Sequence, residues 1–237
     1  MRPKLSIIIG AKSARDTLGE CLSVLERQRG GDQVEIIVVD GSADDTVKIA
    51  SKRFPKVMLI KSQESLLIPQ LWEIGISQSK GDIVAIIAAH CIPRENWIEQ
   101  ILKKHETPYA GIGGAVENDP SSGLLDWSIY FTRYSSYMLP FSEANVKDFA
   151  GDNASYKRSA LYSCNDARRN GFWEPFVHAE LIDKGLELLK TPDIVVYHKK
   201  SFTMSGFIKQ RFLHGRQFGE SRASCLSGAG RAMYIVL

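Results

Sequence analysis

The segment Glu35-Ile36-Ile37-Val38-Val39-Asp40-Gly41-Ser42-Ala43-Asp44-Asp45-Thr46 carries an apolar run to a carboxylate at its tip, then turns through Gly and Ser into a helix start. A carboxylate placed there can accept a hydrogen bond from a nucleobase N–H or a ribose hydroxyl, while the helix start favours a ligand's negative charge. The same residues also describe a plain strand–turn–helix corner with a capping Asp. A second run, Ile83-Val84-Ala85-Ile86-Ile87-Ala88-Ala89, ends on His90, which is either a ligand group or a histidine content with two partners. Glu174, in Gly171-Phe172-Trp173-Glu174, stands just before a helical pattern bearing His178 and Glu180. Its carboxylate is either chemistry or a helix N-terminal acid favoured by the macrodipole.

These groups need a scaffold, and the first hundred residues supply its rhythm. Short β-branched runs at 5–9, 34–39, 57–60 and 83–88 alternate with helical patterns at 17–28 and from Asp44-Asp45-Thr46 onward, as a parallel sheet with crossover helices requires. The runs are nearly continuous in Val and Ile, which suits strands buried on both faces. Ligands of such sheets bind at the carboxyl ends of the strands. That places Gly10-Ala11-Lys12-Ser13, Asp40-Gly41-Ser42 and Ala88-Ala89-His90 around one crevice. In the second half a strand is expected at 111–116, an aromatic-rich helix at 124–138, and a Gly/Asn turn running into a helix over 149–161. Helix, strand and helix then return at 175–188, 193–197 and 207–221. Trp127, Tyr130, Phe131, Tyr134 and Tyr137, spaced by three and four, read mostly as core.

The 237 residues are 44% hydrophobic and 24% charged, the composition of a globular α/β chain. A net charge of +3 is too mild to require a nucleic acid but leaves anionic small ligands open. Cys21, Cys91, Cys164 and Cys225 form no CxxC pair, which argues against a zinc knuckle or a disulfide framework and for a reducing compartment. The first apolar run is too short for a signal peptide, and no run reaches the roughly 20 residues of a spanning helix. The apolar tail after Arg231 reads as a truncation ahead of a membrane element. The absence of GxxxxGK[ST] sets a P-loop NTPase or kinase aside.

Taken in order, Leu5–Lys12, Glu35–Thr46, Gly81–Pro93 with Trp97, Gly113–Asn118, Gly151–Arg158, Gly171–Glu174 and Val195–His198 resemble family 2 glycosyltransferases over nearly the whole chain. The resemblance implies a Rossmann-like GT-A fold, α/β with a mostly parallel central sheet flanked by helices, in a single catalytic domain over 1–237. Its nucleotide-binding half is expected at 1–110 and its acceptor-binding half at 111–237. It implies inverting transfer of a hexosyl group from a nucleotide-diphosphate sugar, UDP-sugar favoured, to a hydroxyl on a lipid or saccharide, as in cell-envelope polysaccharide assembly. The setting it implies is cytoplasmic, peripheral at or anchored to the inner face of the membrane.

Position by position, the resemblance assigns Ala11, Lys12, Asp40, Lys80, Ala88, Ala89 and His90 to the donor. Arg211 and Arg216, in Lys209–Phe218, are assigned to the diphosphate or acceptor, although that segment also suits an anionic membrane surface or a solvated helix. Glu174 is the expected general base, with Asp152 as second candidate. Ala88-Ala89-His90 stands where the family's Asp-x-Asp motif holds Mg²⁺ or Mn²⁺, and both carboxylates are missing. A divalent metal on His90 and His198, Mn²⁺ rather than Mg²⁺, is one expectation, and neutralisation by Lys or Arg another. A catalytically weak or inactive GT-A-like module that binds nucleotide or sugar is the third.

Overall fold

The computed structural model describes residues 2–29, 33–63 and 65–224, so the apolar tail after Arg231 lies outside the described residues. The chain divides into two compact units, 1–200 and 201–237.

In the first unit, β1 (Leu5–Ala11), β2 (Val34–Asp40), β3 (Met58–Lys61) and β4 (Ile83–Ala88) are laid side by side in parallel, in the order β3-β2-β1-β4. Their connections are α1 (Arg15–Gln28), α2 (Thr46–Arg53) and α3 (Ile68–Gln78). Every residue of β1 is buried, and Ile7, Ile8 and Ile9 expose 0% of their surface. Burying each such side chain contributes about 1.5–3 kcal/mol, so the β-branched runs fix both the strands and their depth in the core. The pairing sets Ala11 beside Asp40, Asp40 beside Lys61 and Gly10 beside Ala88, one row at the carboxyl ends of all four strands.

Beyond β4 the sheet changes character. β5 (Cys91–Pro93), β6 (Gly111–Asn118), β7 (Ala144–Val146), β8 (Asn153–Lys157) and β9 (Leu188–His198) extend it to nine strands in the order β3-β2-β1-β4-β8-β6-β9-β5, with β7 also on β9. β6 and β9 are parallel, whereas β8 runs antiparallel to both β4 and β6, and β5 and β7 antiparallel to β9. The sheet is therefore parallel in its first half and mixed in its second. The remaining helices of this unit are α4 (Trp97–Lys104), α5 (Leu124–Tyr134), α6 (Arg158–Ser163) and α7 (Glu174–Asp183).

Two expectations fail here for a physical reason. Residues 149–161 were expected to turn directly into a helix, but β8 comes first. Its polar Asn153 and Ser155 are buried because the neighbouring strands and helix satisfy them: Asn153 Nδ2 donates to Ala115 O (2.8 Å) and Ile194 O (3.0 Å), and Trp97 Nε1 donates to Asn153 Oδ1 (2.8 Å). The helix expected over 175–188 stops at Asp183, and β9 begins at Leu188 rather than 193. β6 carries a register shift between Gly113 and Ala115. A Cβ on Gly114 would lie 2.1 Å from Ile194 O, so the shift needs glycine.

The second unit consists, among the described residues, of the 21-residue helix α8 (Met204–Ser224). No helix among them is long and apolar enough to cross a membrane.

Candidate active site

The parallel half ends in a built corner. Asp40, fully buried, accepts from Ser42 N (3.0 Å) and from the Ser42 hydroxyl, and pairs with Lys61 Nζ at 2.9 Å. The Ser42 hydroxyl in turn accepts from Ser13 N at 2.9 Å, holding the β1 loop with Ser13 at a φ of 51°. Lys12 Nζ donates to Leu66 O (2.7 Å) on the same side. Ala11, Ala88 and Ala89 are at most 1% exposed, so they sit beneath the surface of the strand ends rather than on it. Lys80 is not brought here. It precedes β4 by three residues, at the amino end of a strand parallel to β1, and its backbone N–H donates to Glu35 Oε1 at 2.5 Å. At roughly 3.3 Å per residue the length of β4 separates it from His90.

A turn after β4 carries His90 next to Cys91. The Cα pairing of β5 with β9 puts Cys91 opposite His198, which sends both side chains to one face. The two imidazoles meet edge to face, with centroids 4.9 Å apart and planes at 82°. His90 Nε2 is buried and has no hydrogen-bond partner among the described residues. Burial, then the charge of Lys200, pushes the His90 pKa well below the usual value, and burial, then Arg133, pushes His198 down to about 4. Both rings are neutral near pH 7.

The loop before β8 brings Asp152 to the same place. Its carboxylate accepts from the Tyr134 hydroxyl and lies 3.6 Å from Arg133 Nη2, both from the last turn of α5. Tyr134, read as core, is buried and also packs against His198, with ring centroids 5.1 Å apart and planes tilted by 49°. From the other side Glu174, the first residue of α7, accepts from Gly151 N at 3.1 Å. A Cβ on Gly151 would stand 2.1 Å from Glu174 Oε1, so only glycine lets helix and loop close to this distance. One turn along α7, His178 Nδ1 meets Asp148 Oδ1 (2.5 Å) and His178 Nε2 meets the Tyr156 hydroxyl (2.7 Å), a second clamp between the same loop and helix. Burial raises the Glu174 carboxyl to about 7, with the acids Asp152 and Asp148 adding to the rise against backbone hydrogen bonds.

Of the residues expected from the sequence, the structure places Asp40, His90, His198, Asp152 and Glu174 around the strand ends, and it adds beside them Lys61, Cys91, Arg133, Tyr134 and the Asp148–His178–Tyr156 clamp, which the sequence reading did not assign. Arg133 had a signal: it is the one cation in the aromatic-rich run Trp127–Tyr137. Arg211, half-buried, and Arg216, paired with Glu220 at 3.4 Å, lie on α8 in the second unit.

His90, Cys91 and Asp152 offer three donor atoms all within 4.8 Å of one another, a set able to hold a divalent ion. It fits a hard ion poorly. Mg²⁺ and Mn²⁺ prefer oxygen, and here one carboxylate, already engaged by Tyr134 and faced by Arg133, stands with an imidazole and a soft thiol. His198 lies outside that set of three.

A parallel Rossmann-like half, a mixed second half and two acids meeting at the strand ends define a GT-A-type transferase scaffold. The family model for glycosyl transferase family 2 matches residues 6–164, well over half of the chain, and the chain belongs to that family of glycosyltransferases. It is 25% identical over 236 residues, 91% of this chain and 73% of the relative, to the dolichyl N-acetyl-alpha-D-glucosaminyl phosphate 3-beta-D-2,3-diacetamido-2,3-dideoxy-beta-D-glucuronosyltransferase of Methanococcus voltae. The mannosyltransferase PcManGT of Pyrobaculum calidifontis, solved with GDP-Man and Mn²⁺, shares the fold at a TM-score of 0.63 and 18% identity, covering 94% of this chain and 64% of that one. S. aureus TarS 1-349 with UDP-GlcNAc matches at a TM-score of 0.60 and 17% identity, over 84% of this chain and 59% of TarS. The chain thus spans less than two thirds of either solved structure's chain.

Proposed function

We propose that this glycosyltransferase moves a sugar, with inversion, from a nucleotide-diphosphate sugar to a hydroxyl acceptor, and that Glu174 is the general base. The observation that carries the reading is the meeting of Glu174 and Asp152 beside the carboxyl end of β4. Inversion needs one base on the acceptor side, within hydrogen-bond reach of the attacking hydroxyl. Of the two acids, Asp152 is held by Tyr134 and Arg133, whereas Glu174 takes, among the described residues, a single hydrogen bond from another residue, Gly151 N, and, at about 7, is poised to accept a proton. The acceptor hydroxyl attacks the anomeric carbon, its proton passes to Glu174, and the bond to the diphosphate oxygen breaks with its electron pair on the leaving nucleotide. Asp40, Lys61 and Lys12 at the first strand ends form the nucleoside side of the site.

A UDP-sugar is the favoured donor and a lipid-linked saccharide at the cytoplasmic membrane face the favoured acceptor. The Methanococcus voltae relative, by its name, acts on a dolichyl phosphate-linked sugar. The test is titration with UDP-, GDP- and dTDP-sugars, followed by donor turnover in wild type and Glu174→Gln. Saturable binding with turnover lost in Glu174→Gln is expected. Binding without turnover in wild type would identify a nucleotide- or sugar-binding module instead, and no binding to any donor would end the transferase reading.

A further inference from the structure

Arg133 is a largely buried cation whose charge is felt by both acids, Asp152 and Glu174, and by both imidazoles, His90 and His198. Its guanidinium lies 3.6 Å from Asp152 Oδ2, and its central carbon 4.6 Å from the Tyr134 ring centroid. The side chain is only 18% exposed, and beyond that ion pair and that ring it makes no hydrogen bond with any described residue. A guanidinium carries five N–H donors in a planar fork that matches paired phosphate oxygens. Ordering such a long side chain costs up to about 2 kcal/mol of rotamer entropy, so one held mostly buried while its donors make no hydrogen bond to a described residue is placed for an acceptor that arrives from outside.

The surrounding charges point to what that acceptor is. Ala88 and Ala89 put no carboxylate at the end of β4, and the set His90, Cys91 and Asp152 suits a hard cation poorly. With those negative charges gone, the site holds Mg²⁺ or Mn²⁺ poorly and also lacks the charge such an ion would have to offset before it reached a diphosphate. Arg133 restores the countercharge directly. Its one anionic neighbour at 3.6 Å is a monodentate contact rather than a fork-to-fork pair, so Asp152 orients the guanidinium without using its bidentate face.

We propose that Arg133 binds the diphosphate of the nucleotide donor directly and carries the charge that develops on it as the glycosidic bond breaks, in place of a divalent metal. The inference rests on the nucleotide-sugar reading of the site. Asp152 and Tyr134 are then positioning residues for Arg133, and His90 Nε2, buried and without a partner among the described residues, is a second group that a phosphate oxygen can satisfy.

The experiment is calorimetric titration of uridine and guanosine diphosphates and of the matching monophosphates, in EDTA, on the full chain as wild type, Arg133→Gln and Arg133→Lys. In wild type the better-bound diphosphate is expected to bind about tenfold or more tighter than its monophosphate without metal, the scale of one lost charge-assisted fork. Arg133→Gln brings that ratio to about one while monophosphate affinity and melting temperature stay near wild type, and Arg133→Lys recovers part of it, because an ammonium supplies charge without the fork. An unchanged ratio in Arg133→Gln, or a ratio that emerges only when Mn²⁺ is added, overturns the inference and leaves the transferase reading standing. Failure of wild type to bind any of the four nucleotides overturns both. Should Arg133→Gln fold poorly, the wild-type and Arg133→Lys ratios decide alone.

Discussion

At the scale of single residues, two acids share one site and their surroundings divide the labour. Asp152 is fastened by a hydroxyl and a guanidinium; Glu174 is buried, near another carboxylate, and raised to about 7. As a base it must be ionised, so transferase turnover is expected to rise with pH and reach half its plateau near pH 7. Glu174→Gln should lower kcat by about 10²–10⁴-fold, the range for a lost general base. The same group leaves a mark on stability. Its folded pKa lies above the unfolded value, so its contribution is fully present below about 4.3, falls as pH rises, and is gone above about 7. His198, pushed down to about 4, works in the opposite sense: its neutral form is favoured, and its contribution is lost as pH falls from about 6.5 toward 4. The informative quantity is therefore the difference in melting temperature between wild type and Glu174→Gln from pH 4.5 to 7.5. It should move against the wild type as pH rises, and a flat difference would contradict a raised Glu174 pKa.

At the scale of elements, the site depends on how the loop before β8 is clamped to α7 and how β8 is clamped to the sheet. These two joints predict different failures. Gly151→Ala drives a methyl against Glu174 Oε1, displacing the carboxylate while the sheet is untouched. It should cost kcat about 10²-fold, the cost of a misplacement on the order of 1 Å, with a small change in melting temperature. Asn153→Leu leaves Ala115 O, Ile194 O and Trp97 Nε1 without their partner in the core. At roughly 1–3 kcal/mol for each unsatisfied group, it should lower stability by about 3 kcal/mol or more in denaturant unfolding. The contrast also explains what was legible beforehand. β1, β2 and β4 were readable because Val and Ile runs buried on both faces leave one solution, and the partly exposed edge strand β3 followed from their rhythm. β8 was not, because Asn-Ala-Ser-Tyr-Lys has no such pattern and becomes a strand through partners far along the chain. Asp40, Asp152 and Glu174 showed as acids at strand ends or helix starts. Arg133 showed only as the lone cation of its aromatic run and Tyr134 only as core, since their roles exist only once α5 packs beside β9 and the Asp152 loop.

At the scale of the whole molecule, all nine strands, both acids, the two imidazoles and Arg133 belong to the first unit, and α8 to the second. A chain ending at Lys200 therefore keeps a complete core. It should unfold in one cooperative transition and retain the nucleotide affinity of the full chain. A loss of diphosphate binding in this fragment would instead assign Arg211 or Arg216 to the donor. α8 carries Met204, Ile208 and Phe212 at 55%, 60% and 67% exposure, spaced by four along one side, with exposed Lys209 and Arg216 nearby in sequence. Apolar side chains at that spacing with basic neighbours suit the headgroup region of an anionic bilayer, and basic side chains falling between them can extend their charged ends outward. Cosedimentation with vesicles containing phosphatidylserine should then be seen for the full chain and not for the fragment, and should weaken with salt as the basic residues are screened. Replacing Ile208 and Phe212 by serine separates the two contributions. If the variant binds as well as wild type at low salt, charge alone holds the helix at the surface and the apolar stripe has no part in it.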